Sequence, residues 1–180
     1  MTLIILGHPN IKQSIANKTI IETLQDKVED IEIRNIHKLY PNYQINVQEE
    51  QAALLRHDLI VLQYPMYWFN MPAILKIWFD EVFTYQFAYG SKGDKLKGKK
   101  LLPSLTIGQQ EQNYKKYHND LMDNLLEPVK VSTLYTQMEY LPPILLYGIS
   151  PEIEEMQAKI KTKARQHGQQ LVEIINKYNQ

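Results

Sequence analysis

The chain has 180 residues, 44% of them apolar and 22% charged, with Lys+Arg and Asp+Glu both at 20 and a formal net charge of +0. That size favours one domain over 1–180, able to bury roughly 70% of its unfolded surface, and balanced charge argues against a nucleic-acid or polyanion binder. There is no cysteine, so disulfides, thiolate metal sites and a cysteine nucleophile are excluded.

The first apolar run, Leu3-Ile4-Ile5-Leu6, reads as a fully buried strand; it is too short for a leader and has no basic stretch before it. No run approaches the ~18 apolar residues of a membrane span, and a soluble, cytoplasmic protein is expected. A loop, Gly7 to Gln13, leads to Ser14, and a helical pattern follows from Ile15 to about Lys27. Ile31-Glu32-Ile33-Arg34-Asn35-Ile36 alternates like a strand with one wetter face. A polar connection through Pro41 and a short helix near Val47 to Leu55 precede a third strand, Leu59-Ile60-Val61-Leu62, which ends at Tyr64-Pro65.

Pro72 suits the first turn of the next helix. Its Ile74, Leu75, Trp78, Phe79 and Val82 cover more than one narrow stripe, which points to burial on two sides, one of them against a second subunit. Lys92, Lys95, Lys97, Lys99 and Lys100 follow in what reads as a solvated loop, with a weaker reading as a lure for a pyridine-nucleotide phosphate. Leu101 to Ile107 reads as a fourth strand with Pro103 near an edge or bulge. A helix is expected from about Tyr114 to Leu126, resuming after Pro128 to near Thr136, then a last strand from Glu139 to Tyr147. Ser150-Pro151-Glu152 signals the start of a closing helix that runs to Tyr178.

Five strand–helix alternations imply a parallel sheet with helices on both faces. Right-handed crossovers make it doubly wound, and five strands favour the flavodoxin-like order 2-1-3-4-5. Ligands of such α/β folds sit beyond the carboxyl ends of the strands, which singles out three loops. In the first, Gly7–Asn17, Ser14 can offer a hydroxyl and His8 and Asn17 side-chain donors at a helix N-terminus suited to phosphate. The same residues read equally well as a helix cap and a surface histidine. The second, Tyr64–Met71, holds Tyr67-Trp68-Phe69, which could stack on a planar ligand or pack in a core or dimer contact. In the third, Thr106–Tyr114, Gly108 would permit close approach of backbone to ligand, and Tyr114 and His118, four apart at a helix start, could donate a proton or steady negative charge. A surface Tyr and a surface His are the plain alternative.

Other chemistries lack their residues. There is no Gly-x-Gly-x-x-Gly, no Gly-x-x-x-x-Gly-Lys-Ser/Thr and no Gly-x-Ser-x-Gly. His37, His57 and His167 have no spacing that pairs them into a metal site.

His8-Pro9, Ser14-x-Ala16-Asn17-Lys18, Leu39-Tyr40-Pro41, Pro65-Met66-x-Trp68 and Pro72-x-x-Leu75-Lys76-x-Trp78-x-Asp80-x-Val82-Phe83 resemble the flavodoxin-like NAD(P)H:quinone oxidoreductases. So do Ala88-Tyr89-Gly90, Leu96-x-Gly98-Lys99, Thr106-x-Gly108 and Leu141-Pro142-Pro143, so the likeness spans nearly the whole chain. It is nearest to the bacterial branch that holds the ancillary protein of the glutathione-regulated potassium-efflux system and the general stress protein 14 group. The resemblance implies a non-covalent flavin, FMN in the bacterial branch and FAD in the animal enzymes. It implies that His8, Ser14, Ile15, Ala16 and Asn17 hold the phosphate and ribityl chain. Pro65, Met66, Tyr67, Trp68 and Phe69 would border the ring, and Leu105, Thr106, Ile107, Gly108 and Gln109 would close its other edge. The family's loop there is Thr-Thr-Gly-Gly, where this chain has Thr106-Ile107-Gly108-Gln109. Tyr114 and His118 are the implied catalytic pair.

The implied reaction is two-electron, ping-pong hydride transfer from NADH or NADPH through flavin N5 to a quinone-like acceptor, in a homodimer. The alternative is a regulatory subunit of a potassium-efflux antiporter, peripheral at the inner face of the membrane, with reductase activity secondary. An electron-carrying flavodoxin is disfavoured, because such carriers are strongly acidic and this chain is neutral.

Overall fold

Leu3, Ile4, Ile5 and Leu6 have no polar side to offer, and the strand they form must be covered on both faces. The computed structural model describes residues 1–118, 120–150 and 154–179. Strands β1 (Thr2–Leu6), β2 (Ile31–Asn35), β3 (Leu59–Pro65) and β4 (Lys100–Ile107) lie in the order β2-β1-β3-β4, all parallel. Two short segments, β5 (Glu139–Tyr140) and β6 (Ile144–Tyr147), share the position beyond β4. The sheet therefore has the expected flavodoxin-like order, with the last strand divided. Pro142 and Pro143 divide it, because neither has an N–H for the ladder with β4.

Helices α1 (Ile15–Lys27) and α7 (Glu154–Tyr178) cover one face, packing on Ile4, Leu6, Val61 and Leu102. Helices α2 (Ile36–Leu39), α3 (Val47–Arg56), α4 (Ala73–Val82) and α6 (Leu121–Tyr135) cover the other, on Leu3, Ile5, Leu62, Leu105 and Ile107. A Cβ added at Gly168 of α7 would lie 2.9 Å from the Cβ of Thr23 in α1, so the two helices meet closer there than any side chain allows.

Two further expectations change. Ile36 opens α2 instead of ending β2, because the Asn35 side chain accepts the Lys38 N–H at 3.0 Å and caps a helical turn. The expected helix from Tyr114 becomes α5 (Glu111–Lys115), followed by a break and then α6, which runs through Pro128 without stopping. Pro128 and Asn124 both lie on the exposed side, so water can satisfy the carbonyl that proline leaves without a donor. The closing helix reaches Tyr178 as expected, while most of its Ser150-Pro151-Glu152 signal lies outside the described residues.

Within the chain, the breadth of α4 is met by its own neighbours. Ile74, Leu75, Trp78, Phe79 and Val82 are all buried, and Trp78 stacks edge-on with Phe79 and Phe83 at centroid distances of 5.4 and 5.6 Å. Its indole Nε1 donates to Glu50 Oε2 at 2.8 Å. The other Glu50 oxygen accepts from the Tyr40 hydroxyl at 2.6 Å and from Arg34 Nη2 and Nε at 2.6 and 2.8 Å. Burial, with Glu50 next, pushes the Tyr40 hydroxyl up to about 12. Glu50 is fully buried, and a buried carboxylate is tolerated only when paired and hydrogen-bonded.

Glu50→Ala takes the acceptor from four hydrogen bonds made by three side chains, and we expect it to lose about 3–5 kcal/mol of stability in urea denaturation.

Candidate functional site

The carboxyl ends of β1, β3 and β4 open into one cleft. After β1, Gly7 donates its N–H to the Gln63 carbonyl, and a single 3-10 turn at Ile11–Gln13 brings the chain to Ser14. Ser14 takes extended backbone angles as the N-cap of α1, and its Oγ accepts the Asn17 N–H at 3.1 Å. The first-turn N–H groups of Ile15 and Ala16 have no carbonyl to reach within the helix.

His8, Ser14, Ile15, Ala16, Asn17, Pro65, Met66, Tyr67, Thr106 and Gly108 meet in this cleft of about 390 Å³, together with Asn10, Gln13, Ile149 and Ser150. Among the described residues no charged side chain lines it, and the positive end of the α1 dipole faces it. His8 is buried; burial, with His37 second, lowers its pKa to about 4. Its Nδ1 accepts the Asn10 N–H at 3.0 Å, which leaves the proton on Nε2 as a neutral donor.

Beside it, sharing Met66 and Gly108, lies a second hollow of about 520 Å³ with Trp68, Phe69, Gln109, Asn113, Tyr114, Lys116 and Tyr117. Tyr67 and Asn70 exchange N–H···O bonds at 2.9 and 3.0 Å, which forces Trp68 and Phe69 into the left-handed region at φ 46 and 63. Such a two-residue turn is normally built from Asn and Gly. Its product is a Trp68 side chain 94% exposed at the rim of the hollow. Phe69 sits edge-on to Tyr114 at 5.9 Å and to Tyr117 at 6.5 Å. Tyr114 is buried, which raises its pKa, and its hydroxyl donates to the Met66 sulfur at 3.7 Å.

Gly108 needs no glycine for the protein's own sake. Its φ is not positive, and a Cβ built there would meet nothing within 4 Å. The space belongs to both hollows, so any demand for a bare backbone comes from what fills them.

Some expected residues stand elsewhere. Leu105 and Ile107 are fully buried with the core on the far face of β4 and line neither hollow, so only their backbone lies near the site. The isoleucine at 107 therefore removes no hydroxyl from the cleft. His118 is exposed beyond the end of α5 and lines a separate cavity of about 130 Å³ with Glu111, Lys115, Met122, Asp123 and Tyr147; Tyr114 lies between it and the aromatic hollow, touching both. Of the loop lysines, Lys99 donates to the His57 carbonyl at 2.8 Å, a structural role at the end of α3. Asn10, Gln13 and Asn113 belong to the loops that the sequence singles out but carry no assignment there, whereas Lys116, Tyr117, Ile149 and Ser150 lie outside those loops. The last two follow the fifth strand position, where the same carboxyl-end rule would have found them.

Residues 1–171 match the family described as flavodoxin-like fold. The chain is 42% identical over 149 residues to the uncharacterized NAD(P)H oxidoreductase YrkL of Bacillus subtilis (strain 168), covering 82% of this chain and 85% of that protein. It is 38% identical over 180 residues to the glutathione-regulated potassium-efflux system ancillary protein KefF of Enterobacter sp. (strain 638), covering 99% of each. Among solved structures, general stress protein 14 of Treponema denticola in complex with FMN aligns with TM-score 0.85 and 32% identity, over 96% of this chain and 98% of that one. The NADPH-quinone reductase of P. pentosaceus aligns with TM-score 0.76 and 26% identity, over 93% and 97%.

Trp68→Asn combined with Phe69→Gly relieves two left-handed residues, and we expect chemical denaturation to show a gain of about 1–2 kcal/mol. A pH series gives a second check. His8 and His167 are both lowered from 6.5 to about 4, chiefly by burial. Both charge on unfolding, so stability is full above the ordinary histidine range and falls as pH drops from 6.5 towards 4. At pH ~5 the slope of unfolding free energy against pH should contain about two protons from this pair, and His8→Gln should remove about one of them.

Proposed function

The chain belongs to the flavodoxin-like fold family, and on that basis we propose that it is an FMN-dependent NAD(P)H:quinone oxidoreductase. One observation carries the reading: an uncharged helix N-terminus rich in donors opens, across Met66 and Gly108, into an aromatic hollow. A phosphate fits the first part and a planar ring the second. The open space at Gly108 lies between them, where a bound ring would pass.

The α1 N-terminus, Ser14 and the neutral His8 would bind the phosphate, with Asn17 and Thr106 beside them. Tyr67, Trp68 and Phe69 would flank the ring, and Met66 and Tyr117 would exclude water from it. FAD would occupy the same residues with its flavin half. The chemistry that bound FMN supplies is two-electron transfer from NADH or NADPH to an acceptor. With no cysteine in the chain, no side chain competes for that role. Both substrates would use the hollow in turn. Tyr114 would keep a phenolic proton for the oxygen of a quinone, since burial holds it protonated and the Met66 sulfur is a weak acceptor that gives it up easily. Tyr114 alone would supply that proton, since His118 does not line the hollow.

A homodimer belongs to the same proposal. Its support is a groove of about 560 Å³ between α4 and α6, lined by Phe79, Phe83, Val129 and Tyr135. The second reading, a regulatory partner of a potassium-efflux antiporter, is favoured by the end-to-end match to KefF. No helix among the described residues is long and apolar enough to cross a membrane, so membrane attachment would go through that partner.

Purified protein should quench FMN fluorescence at one equivalent per chain, lose its yellow colour anaerobically on addition of NADH or NADPH, and regain it with a quinone. Failure to bind either FMN or FAD overturns the proposal, and light scattering on the same sample tests the dimer. Co-purification with a detergent-solubilised antiporter tests the second reading, and its absence removes it. Gly108→Ala should leave the melting temperature unchanged and weaken FMN binding by about tenfold.

A further inference from the structure

Polar side chains cross the helix-covered face of the sheet in an unbroken line. His167, on α7, lies with its Nε2 2.7 Å from Ser104 Oγ. The Ser104 hydroxyl donates to Gln63 Oε1 at 2.6 Å, and Gln63 Nε2 donates to Asn17 Oδ1 at 2.8 Å. Asn17 Nδ2 then donates to Thr106 Oγ1 at 2.8 Å and to Ser14 Oγ at 3.1 Å. All but Ser14 are buried. Gln63 and Ser104 are direct partners in the β3–β4 register, which places them side by side.

The line has one direction. Ser104 spends its proton on Gln63, so its oxygen must accept, and His167 must carry its hydrogen on Nε2. Every bond downstream then donates towards the cleft. Ser14 Oγ receives two N–H groups, from the Asn17 backbone and side chain, and Thr106 Oγ1 receives one. Neither hydroxyl donates to a described residue, so both protons are free for an occupant of the cleft. The other histidine tautomer reverses this. Ser104 would donate to Nε2, the two amides would turn over, and Asn17 would present its oxygen to Ser14 and Thr106 and take up their protons. Burial keeps His167 neutral, its pKa lowered to about 4, so one tautomer decides the sense of the whole line. Aligned hydrogen bonds also polarise one another in a low-dielectric interior.

We propose that His167 is a positioning residue of the phosphate site, holding the hydroxyl protons of Ser14 and Thr106 outward, from α7, through Ser104, Gln63 and Asn17. The proposal rests on the FMN reading given above, and it adds a residue that touches neither cofactor nor substrate.

Comparing FMN with riboflavin, which lacks the phosphate, separates this role from simple packing. Affinities are read by fluorescence quenching for wild type, His167→Leu and His167→Gln. In His167→Leu the line loses its first donor, and FMN should bind about tenfold more weakly while riboflavin affinity stays unchanged. His167→Gln keeps an N–H donor and should recover most of the loss. In the wild type, nitrogen-15 NMR of the imidazole should show the Nε2–H form, a readout that needs no variant to fold. FMN affinity unaffected by His167→Leu, an equal weakening of FMN and riboflavin, or an Nδ1–H imidazole each overturns the proposal. Wild-type protein that binds neither flavin overturns the FMN reading, and the proposal falls with it.

Discussion

The ladder formed by β1, β3 and β4 has no wet face, and that constraint organises the rest of the molecule. Each of these strands is buried on both sides, so a polar side chain inside them must find its partner within the protein or cost ~1–3 kcal/mol. Gln63, Ser104 and Thr106 meet that condition together, on the α1–α7 side and near the carboxyl ends. There the ladder is about to release its strands into loops. The polarity of the interior is thus continuous with the polarity of the cleft.

The opposite face solves the same problem with charge. Glu50 gathers Arg34, Tyr40 and Trp78 from β2, the turn after α2, and α4. None of the four lines the cleft or the aromatic hollow. Their arrangement fixes how α3 and α4 seat on the sheet, and α4 begins just after the turn that displays Trp68 and Phe69. One polar assembly therefore holds the aromatic side of the site in place, and the other holds the side at the α1 N-terminus.

Much of this was legible in the residues. Short apolar runs separated by amphipathic stretches determine the strand order, and the order locates the loops. The Gly7–Asn17 loop, the aromatic triplet and Gly108 were found because strand ends and turn chemistry are local signals. What escaped depends on partners distant in the chain. His167 looked like one more polar residue on a long helix, because nothing near it in sequence discloses Ser104. Trp78 looked like surplus hydrophobicity, whereas its indole N–H answers a carboxylate 28 residues away. Leu105 and Ile107 were credited to the site from their place in a motif. The period of a strand sends their side chains to the opposite face from Thr106.

The close approach of α1 and α7 at Gly168 has a consequence for how the site comes into being. Every loop that lines the cleft has been synthesised once the chain has passed Ser150, and the strands could already pair. Yet α1, whose N-terminus faces the cleft, lacks its neighbouring helix on that face of the sheet until α7 closes against it. Next to the glycine that permits this contact stands the histidine that completes the interior hydrogen bonding. A nascent chain would therefore hold a preformed but slack pocket until its last helix docks. Assembly of the site runs on the clock of the C-terminal helix, although most of the residues that line it come from the first two-thirds of the chain.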